Sequence, residues 1–157
     1  MLAVARRRAA AEPLSSVPAP RFQQGDALQL PYPDAHFDVA TVSYGLRNLA
    51  DLDRGLQELH RVLKPGGRLL VLEFGKPDLA AWRWIYFQYL RLAVPVFGRV
   101  FSGDADAYGY ILESLEKYPA QHGVDARLRG LGFTDTRVIN LLGGSMGIHV
   151  AKRLGVR

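Results

Sequence analysis

Apolar residues in this 157-residue chain follow more than one spacing. Between Asp51 and Leu63, Leu52, Leu56, Leu59 and Leu63 recur at helical intervals, predicting a helix with one face against a core. "FDVATVSYGL" (37–46) and "RLLVLEF" (68–74) are instead near-continuous β-prone runs, the pattern of strands buried on both faces of a parallel sheet. Pro65-Gly66-Gly67 separates the helix from the second run. Strand, helix and strand in this order predict a right-handed βαβ crossover, so the fold class is α/β.

The flanks extend this unit. Residues 2–12 are strong helix formers, broken by Pro13 and "SSVPAP". "RFQQGDALQLPYP" predicts a short strand ending at Gly25-Asp26, followed by a proline-rich loop. Residues 79–101 form an aromatic-rich helical stretch that Pro95 kinks or ends, and "DADAYGYILESLEKYP" predicts a further helix stopped by Pro119. A short helix over 122–130 and two antiparallel strands joined at Gly143-Gly144 close the chain. The expectation is one α/β domain over 1–157, with about five strands and a helical insertion over 79–119.

Composition narrows the chemistry. With 48% hydrophobic and 22% charged residues the chain is globular in type. It has no cysteine, which excludes disulfides, thiol catalysis and cysteine-based zinc sites. The four histidines, His36, His60, His122 and His149, lack ligand spacing, so no metal is expected. The net charge of +5 suits nucleic acid or anionic lipid, or reflects a bias toward arginine. The arginines are dispersed apart from Arg6-Arg7-Arg8 and no nucleic-acid motif accompanies them, so no nucleic-acid partner is expected. The apolar run that opens the chain is too short for a secretory segment.

Three stretches together carry a resemblance: "GLRN" at 45–48, "RVLKPGGRLLVLEF" at 61–74 and "DADAYGYILESLEKYP" at 104–119. They resemble class I S-adenosylmethionine-dependent methyltransferases, and within them the ubiquinone/menaquinone biosynthesis C-methyltransferases of UbiE type. The likeness runs from about residue 1 to 153, with Gly75 standing where the family commonly has serine. It implies a Rossmann-like class I methyltransferase sheet, S-adenosylmethionine as cofactor, and methyl transfer to a ring carbon of a polyprenylated quinol.

The resemblance also implies site residues. Asp26 and Ala27 match the position that meets the adenine ring; a turn-forming Gly-Asp is the other reading. Ser43 and Tyr44 end the central strand beside the pocket for the sulfonium methyl. Arg47 and Asn48 are the catalytic candidates, one stabilising a developing phenolate and the other holding it or a water; an ordinary loop and helix cap would use the same residues. Glu73 either pairs with an arginine such as Arg47 or Arg68, or lines the site. Trp84, Tyr86, Tyr108 and Tyr110 are the substrate-binding candidates. The stretch from Trp82 to Leu90, apolar nearly all round, reads either as a cover for the isoprenoid tail or as a core helix. In the first case Arg83, Arg91 and Arg99 meet a membrane surface, and the location is cytoplasmic with peripheral contact at the inner face of the membrane.

The resemblance implies parts that this chain does not contain: a glycine-rich loop after a first strand and an acid for the ribose hydroxyls. The sheet is therefore expected to be incomplete, with unpaired edges open to self-association into a homo-oligomer. Two functions follow. The chain is the carboxyl-terminal part of a quinol C-methyltransferase, expected alone to bind the cofactor weakly and not to turn over, or it is a non-catalytic binding or assembly partner in quinone biosynthesis. A methyltransferase with another small-molecule acceptor is a third reading.

Overall fold

The computed structural model describes residues 2–11, 19–93, 96 and 106–155, with side chains for all of these except 106–109. Helix α1 (Leu2–Ala11) buries no residue and is tied to the chain by Arg6, whose Nη2 donates to the Phe22 carbonyl at 3.1 Å. Strand β1 (Phe37–Ser43), a 3₁₀ turn over Leu46–Asn48, helix α2 (Leu52–Val62) and strand β2 (Leu63–Phe74) form the βαβ unit. Helix α3 (Ala80–Gln88) runs into a π-helical turn at Tyr89–Ala93. Helices α4 (Asp106–Lys117) and α5 (Ala120–Gly130) follow, then strand β3 (Phe133–Leu141), a 3₁₀ turn at Leu142–Gly144 and strand β4 (Met146–Arg153).

The strands pair in the order β1-β2-β4-β3. β1 and β2 are parallel; β4 runs antiparallel to both β2 and β3. Ala40, Leu69 and Ala151 lie in one row across the sheet, and Val42, Val71, His149 and Val138 in the next. This face carries the core: Leu56 and Val62 from α2 and Val124 and Leu128 from α5 are buried with Leu69, Val71 and Ala151. Helix α2 starts cleanly because the Asp51 carboxylate accepts from Arg54 N at 2.9 Å, capping an orphan donor of the first turn.

Three expectations are corrected. The described residues hold four strands rather than about five. Residues 21–26 form no strand; only an isolated bridge joins Asp26 to Gln29. β1 is not buried on both faces: among described strands it pairs with β2 alone, none of its residues is fully buried, and Val39 is 51% exposed. These share one cause. A strand needs a partner along its edge and a layer over each face, and with no described strand beside β1 the stretch 21–26 has no ladder to join. The opposite sheet face accordingly leaves Val39 and Ile139 about half exposed. Pro95 and Arg99 lie outside the described residues.

Candidate functional site

The site lies where β1 and β2 end. Glu73, the last residue but one of β2, is 1% exposed, and Glu73 Oε1 receives Arg47 Nη1 at 2.7 Å. The same carboxylate accepts from Phe74 N at 2.9 Å and from Arg47 N at 3.4 Å. Arg47 is held further by donation to the Tyr44 carbonyl at 3.1 Å and from Nε to Ser114 Oγ at 3.2 Å. Its guanidinium also lies 4.9 Å from the centre of the Phe74 ring. Of the two partners the sequence offers Glu73, the fold therefore takes Arg47. Arg68 stands at an exposed position of β2, five residues away and so on the other face of the strand.

This buried pair fixes the "GLRN" loop. Tyr44 itself has φ +52, a region that non-glycine residues rarely occupy, and its ring packs 4.9 Å from that of Phe74. Its hydroxyl lies 3.1 Å from Met146 Sδ. The Tyr44 carbonyl accepts from both Arg47 and, at 3.3 Å, Asn48 Nδ2. Asn48 Oδ1 accepts from the Tyr110 hydroxyl at 3.0 Å, tying the loop to α4. Between them opens a cleft of about 420 Å³ whose lining includes Arg47, Asn48, Tyr110, Ser114, Lys117 and Tyr118. The Tyr118 hydroxyl is buried without a partner among the described residues; burial, then the nearby Glu73 carboxylate, push its pKa up.

The other candidates sit as follows. Asp26 is exposed and Asp26 Oδ1 accepts from Leu28 N at 2.9 Å, closing a local turn. Ala27 shares an apolar hollow of about 140 Å³ with Val42, Gly45, Leu46 and Leu49, so the Asp26-Ala27 turn and the "GLRN" loop stand side by side. Ser43 is exposed at the end of β1. Trp84 is 65% exposed, whereas Tyr86 is buried and donates to the Ser145 carbonyl at 3.3 Å, its pKa pushed up to about 12 by burial. Trp84 and Tyr86 thus leave α3 in different directions, and neither lines the 420 Å³ cleft. The side chain of Tyr108 lies outside the described residues.

Two sets of positioning residues escaped the sequence reading. Arg61 Nε and Nη2 donate to the two Glu58 oxygens at 2.9 and 2.8 Å, Glu58 Oε2 accepts from Leu30 N at 2.8 Å, and Arg61 also donates to the Tyr32 and Leu30 carbonyls. Arg54 Nε adds a bond to Leu28 O at 3.1 Å. Together they clamp the segment after Asp26 to α2. The available signal was a Glu and an Arg three apart on the helix's inner flank. The second set is Gln121, which accepts from Lys76 N at 2.9 Å and donates to Lys76 O at 2.8 Å, bracing the turn after β2. Gly75 in that turn has no room for a side chain, since a Cβ would collide with the Gly144 carbonyl.

The sequence from 1 to 153 matches the model of the ubiE/COQ5 methyltransferase family. The chain belongs to that family. It is 44% identical over 153 residues to a demethylmenaquinone methyltransferase of Thermus thermophilus, covering 98% of this chain and 67% of the relative. It is 43% identical over 129 residues to a ubiquinone/menaquinone biosynthesis C-methyltransferase of Azotobacter vinelandii, covering 82% of this chain and 51% of that one. The chain thus spans about half to two thirds of the length of these relatives. A solved S-adenosylmethionine-dependent methyltransferase from Thermotoga maritima superposes with a TM-score of 0.67 at 17% identity, over 98% of this chain and 69% of that one. One from Aquifex aeolicus gives 0.61 at 18%, over 98% and 64%. At these identities the solved structures establish the class I methyltransferase fold, and the sequence relatives establish the family. Within the ubiE/COQ5 family frame, the buried Arg47–Glu73 pair and the Asn48–Tyr110 bond give the "GLRN" loop one defined shape beside the cleft.

Proposed function

We propose that this chain carries the acceptor side of an S-adenosylmethionine-dependent C-methyltransferase whose substrate is a lipophilic quinol. The observation that carries this reading is the cleft in which Asn48 and Tyr110 meet above a buried, charge-neutralised Arg47. When bound, S-adenosylmethionine supplies an electrophilic methyl on sulfur. Asp26 has a second carboxylate oxygen left for the adenine amino group and Ala27 offers an apolar wall to the ring, which fits the adenine end of that molecule, while Ser43 and Tyr44 flank the strand end on the side of its sulfonium methyl.

A quinol ring carbon becomes nucleophilic when the neighbouring hydroxyl gives up its proton, because the oxygen lone pair then feeds into the ring. Arg47, its charge balanced by Glu73, contributes fixed N–H donors rather than a net charge on the floor of the cleft for that developing phenolate. It is not the base, since Nη1 is committed as a donor to Glu73 and the Tyr44 carbonyl and the side chain offers no acceptor. Asn48 orients the phenolic oxygen or the water that takes its proton, and Tyr110 sets the Asn48 amide by donating to Oδ1. The helices between 80 and 117 form a cap over the acceptor, with exposed Trp84 facing its tail and buried Tyr86 fixing α3 to the Ser145 carbonyl instead. The enzyme works at the cytoplasmic side of a membrane in this reading.

The test is transfer of a labelled methyl group from S-adenosylmethionine to a short-tailed demethylmenaquinol. It is run on the chain joined to the upstream part of the Thermus thermophilus relative, because the chain alone is expected to bind the cofactor weakly and not to turn over. Label on a ring carbon, reduced by on the order of 100-fold in Asn48→Ala, supports the proposal. Label on oxygen, transfer unchanged in Asn48→Ala, or no transfer at all overturns it.

A further inference from the structure

Tyr118 occupies the junction between α4 and α5. Pro119 disfavours helical backbone in the residue before it, so α4 ends here, and Tyr118 N closes its last turn on the Ser114 carbonyl at 3.1 Å. Ser114 Oγ meanwhile accepts from Arg47 Nε at 3.2 Å, so one turn of α4 fixes both Tyr118 and Arg47. Tyr118 lines the 420 Å³ cleft, is 4% exposed, and its hydroxyl has no hydrogen-bond partner among the described residues. A phenol oxygen buried in this way is costly, and phenylalanine would fill the same space without that cost. Packing alone therefore does not account for the oxygen.

Its surroundings do. Of the charges acting on it, Glu73 on β2 comes first, followed by Arg47 and by Arg127 on α5. Arg127 is already bound to Asp53 at 2.8 Å, and Tyr86, the other buried phenol near Arg47, donates to the Ser145 carbonyl at 3.3 Å. At the cleft wall Lys117 is bound to Glu113 at 2.7 Å. The two Glu73 oxygens are unequally served. Oε1 accepts from Arg47 Nη1 and Phe74 N at 2.7 and 2.9 Å, while among the described residues Oε2 has only the 3.4 Å contact from Arg47 N. A donor without an acceptor thus stands near an acceptor with capacity to spare.

We propose that Tyr118 is a positioning residue for methyl transfer, a second donor that takes Glu73 Oε2 as the acceptor's phenolate draws on Arg47. This rests on the reading that the acceptor is a quinol. Glu73 and a developing phenolate compete for one guanidinium, whose Nη1 and Nε are already engaged and whose Nη2 is left for the acceptor. A hydrogen bond from the neutral Tyr118 phenol offsets part of the Glu73 charge, so Arg47 turns toward the phenolate without leaving a bare buried carboxylate.

Two measurements on Tyr118→Phe test this. The first is urea denaturation of the chain, which needs neither cofactor nor acceptor. In the parent background the substitution should leave stability unchanged or raise it, because a partnerless oxygen is removed. In an Arg47→Ala background it should lower stability, because Glu73 has then taken the Tyr118 hydroxyl. Arg47→Met, which keeps the bulk of the stem, replaces Arg47→Ala where the latter does not fold. Destabilisation in the parent, or the same effect in both backgrounds, overturns the proposal. The second is anaerobic methyl transfer across pH by the form joined to the upstream part of the Thermus thermophilus relative. Tyr118→Phe should lower kcat about tenfold at neutral pH with the acceptor KM nearly unchanged. The acidic limb of the kcat profile should move up by about one pH unit, so that variant and parent converge in alkali. A loss by the same factor at every pH, or no loss, overturns the proposal. Absence of transfer in the parent form overturns the quinol reading instead, and the denaturation series still decides whether Tyr118 is the second donor to Glu73.

Discussion

The Tyr110 hydroxyl donates to Asn48 Oδ1 across 3.0 Å, joining α4 to the loop that follows β1. That bond sets which way the Asn48 amide faces, because Asn48 Nδ2 is engaged by the Tyr44 carbonyl. Tyr110→Phe removes one neutral hydrogen bond at a half-exposed position and should cost about 0.5–1.5 kcal/mol of stability. In the form joined to the upstream part of the Thermus thermophilus relative, methyl transfer should fall further than stability does, with kcat reduced and the acceptor KM nearly unchanged. Equal kcat for the variant and the parent chain would remove Tyr110 from the site.

Breaking the Arg47–Glu73 pair should be costlier. Arg47→Ala leaves the Glu73 carboxylate buried without its cation, an arrangement expected to cost about 3–5 kcal/mol, read by urea denaturation. Glu73→Gln keeps the shape and removes the charge, so the double variant Arg47→Ala/Glu73→Gln should regain part of the loss. Losses that simply add in the double variant would show that the two side chains do not act as a pair.

Glu58 makes the fold sensitive to acid. Hydrogen bonds from Arg61, opposed by burial, hold its pKa down at about 2. A carboxylate with a lowered folded-state pKa stabilises the fold above its unfolded value of roughly 4.3, and that contribution is lost as pH falls from there toward about 2. Thermal melts across that window should show a decline that Glu58→Gln flattens. Because Glu58 and Arg61 clamp the segment after Asp26, the same variant should also weaken S-adenosylmethionine binding at neutral pH. An identical pH dependence in variant and parent would contradict this role.

Gly75 sits in a crowded turn after β2. A Cβ there would collide with the Gly144 carbonyl and lie 2.8 Å from Gln121 Oε1, so backbone must shift to admit any side chain. Gly75→Ser should destabilise by about 1–3 kcal/mol, measured by chemical denaturation. A neutral effect would mean that the Leu142–Gly144 turn moves aside freely.

Local spacing in the chain was enough to place the βαβ unit. The leucines of α2 recur at its helical period and the β-prone run of β2 follows, so neighbouring residues encode that succession, although β2 starts at Leu63 and takes in Pro65-Gly66-Gly67, which the sequence reads as a separator. The words "GLRN" and "RVLKPGGRLLVLEF" likewise identified the family, because residue type and order are all such a statement needs, whereas Glu73 kept two arginine candidates and a place in the site until the fold put Arg47 against it. Period two in a strand even separates Arg68 from Glu73 by face. The rest depended on contacts between distant parts of the chain. β1 looks like a central strand from its composition, yet its burial depends on what lies along its free edge and over its outer face. Trp84 and Tyr86 look equivalent in an all-apolar helix, and only the packing of α3 against Ser145 buries one and leaves the other in solvent. Glu58, Arg61 and Gln121 read as ordinary polar helix residues, and they become clamps because folding brings backbone groups 28 to 45 residues away within hydrogen-bond reach. Periodicity reports which way a side chain points within its own element; what it meets there is decided by long-range packing.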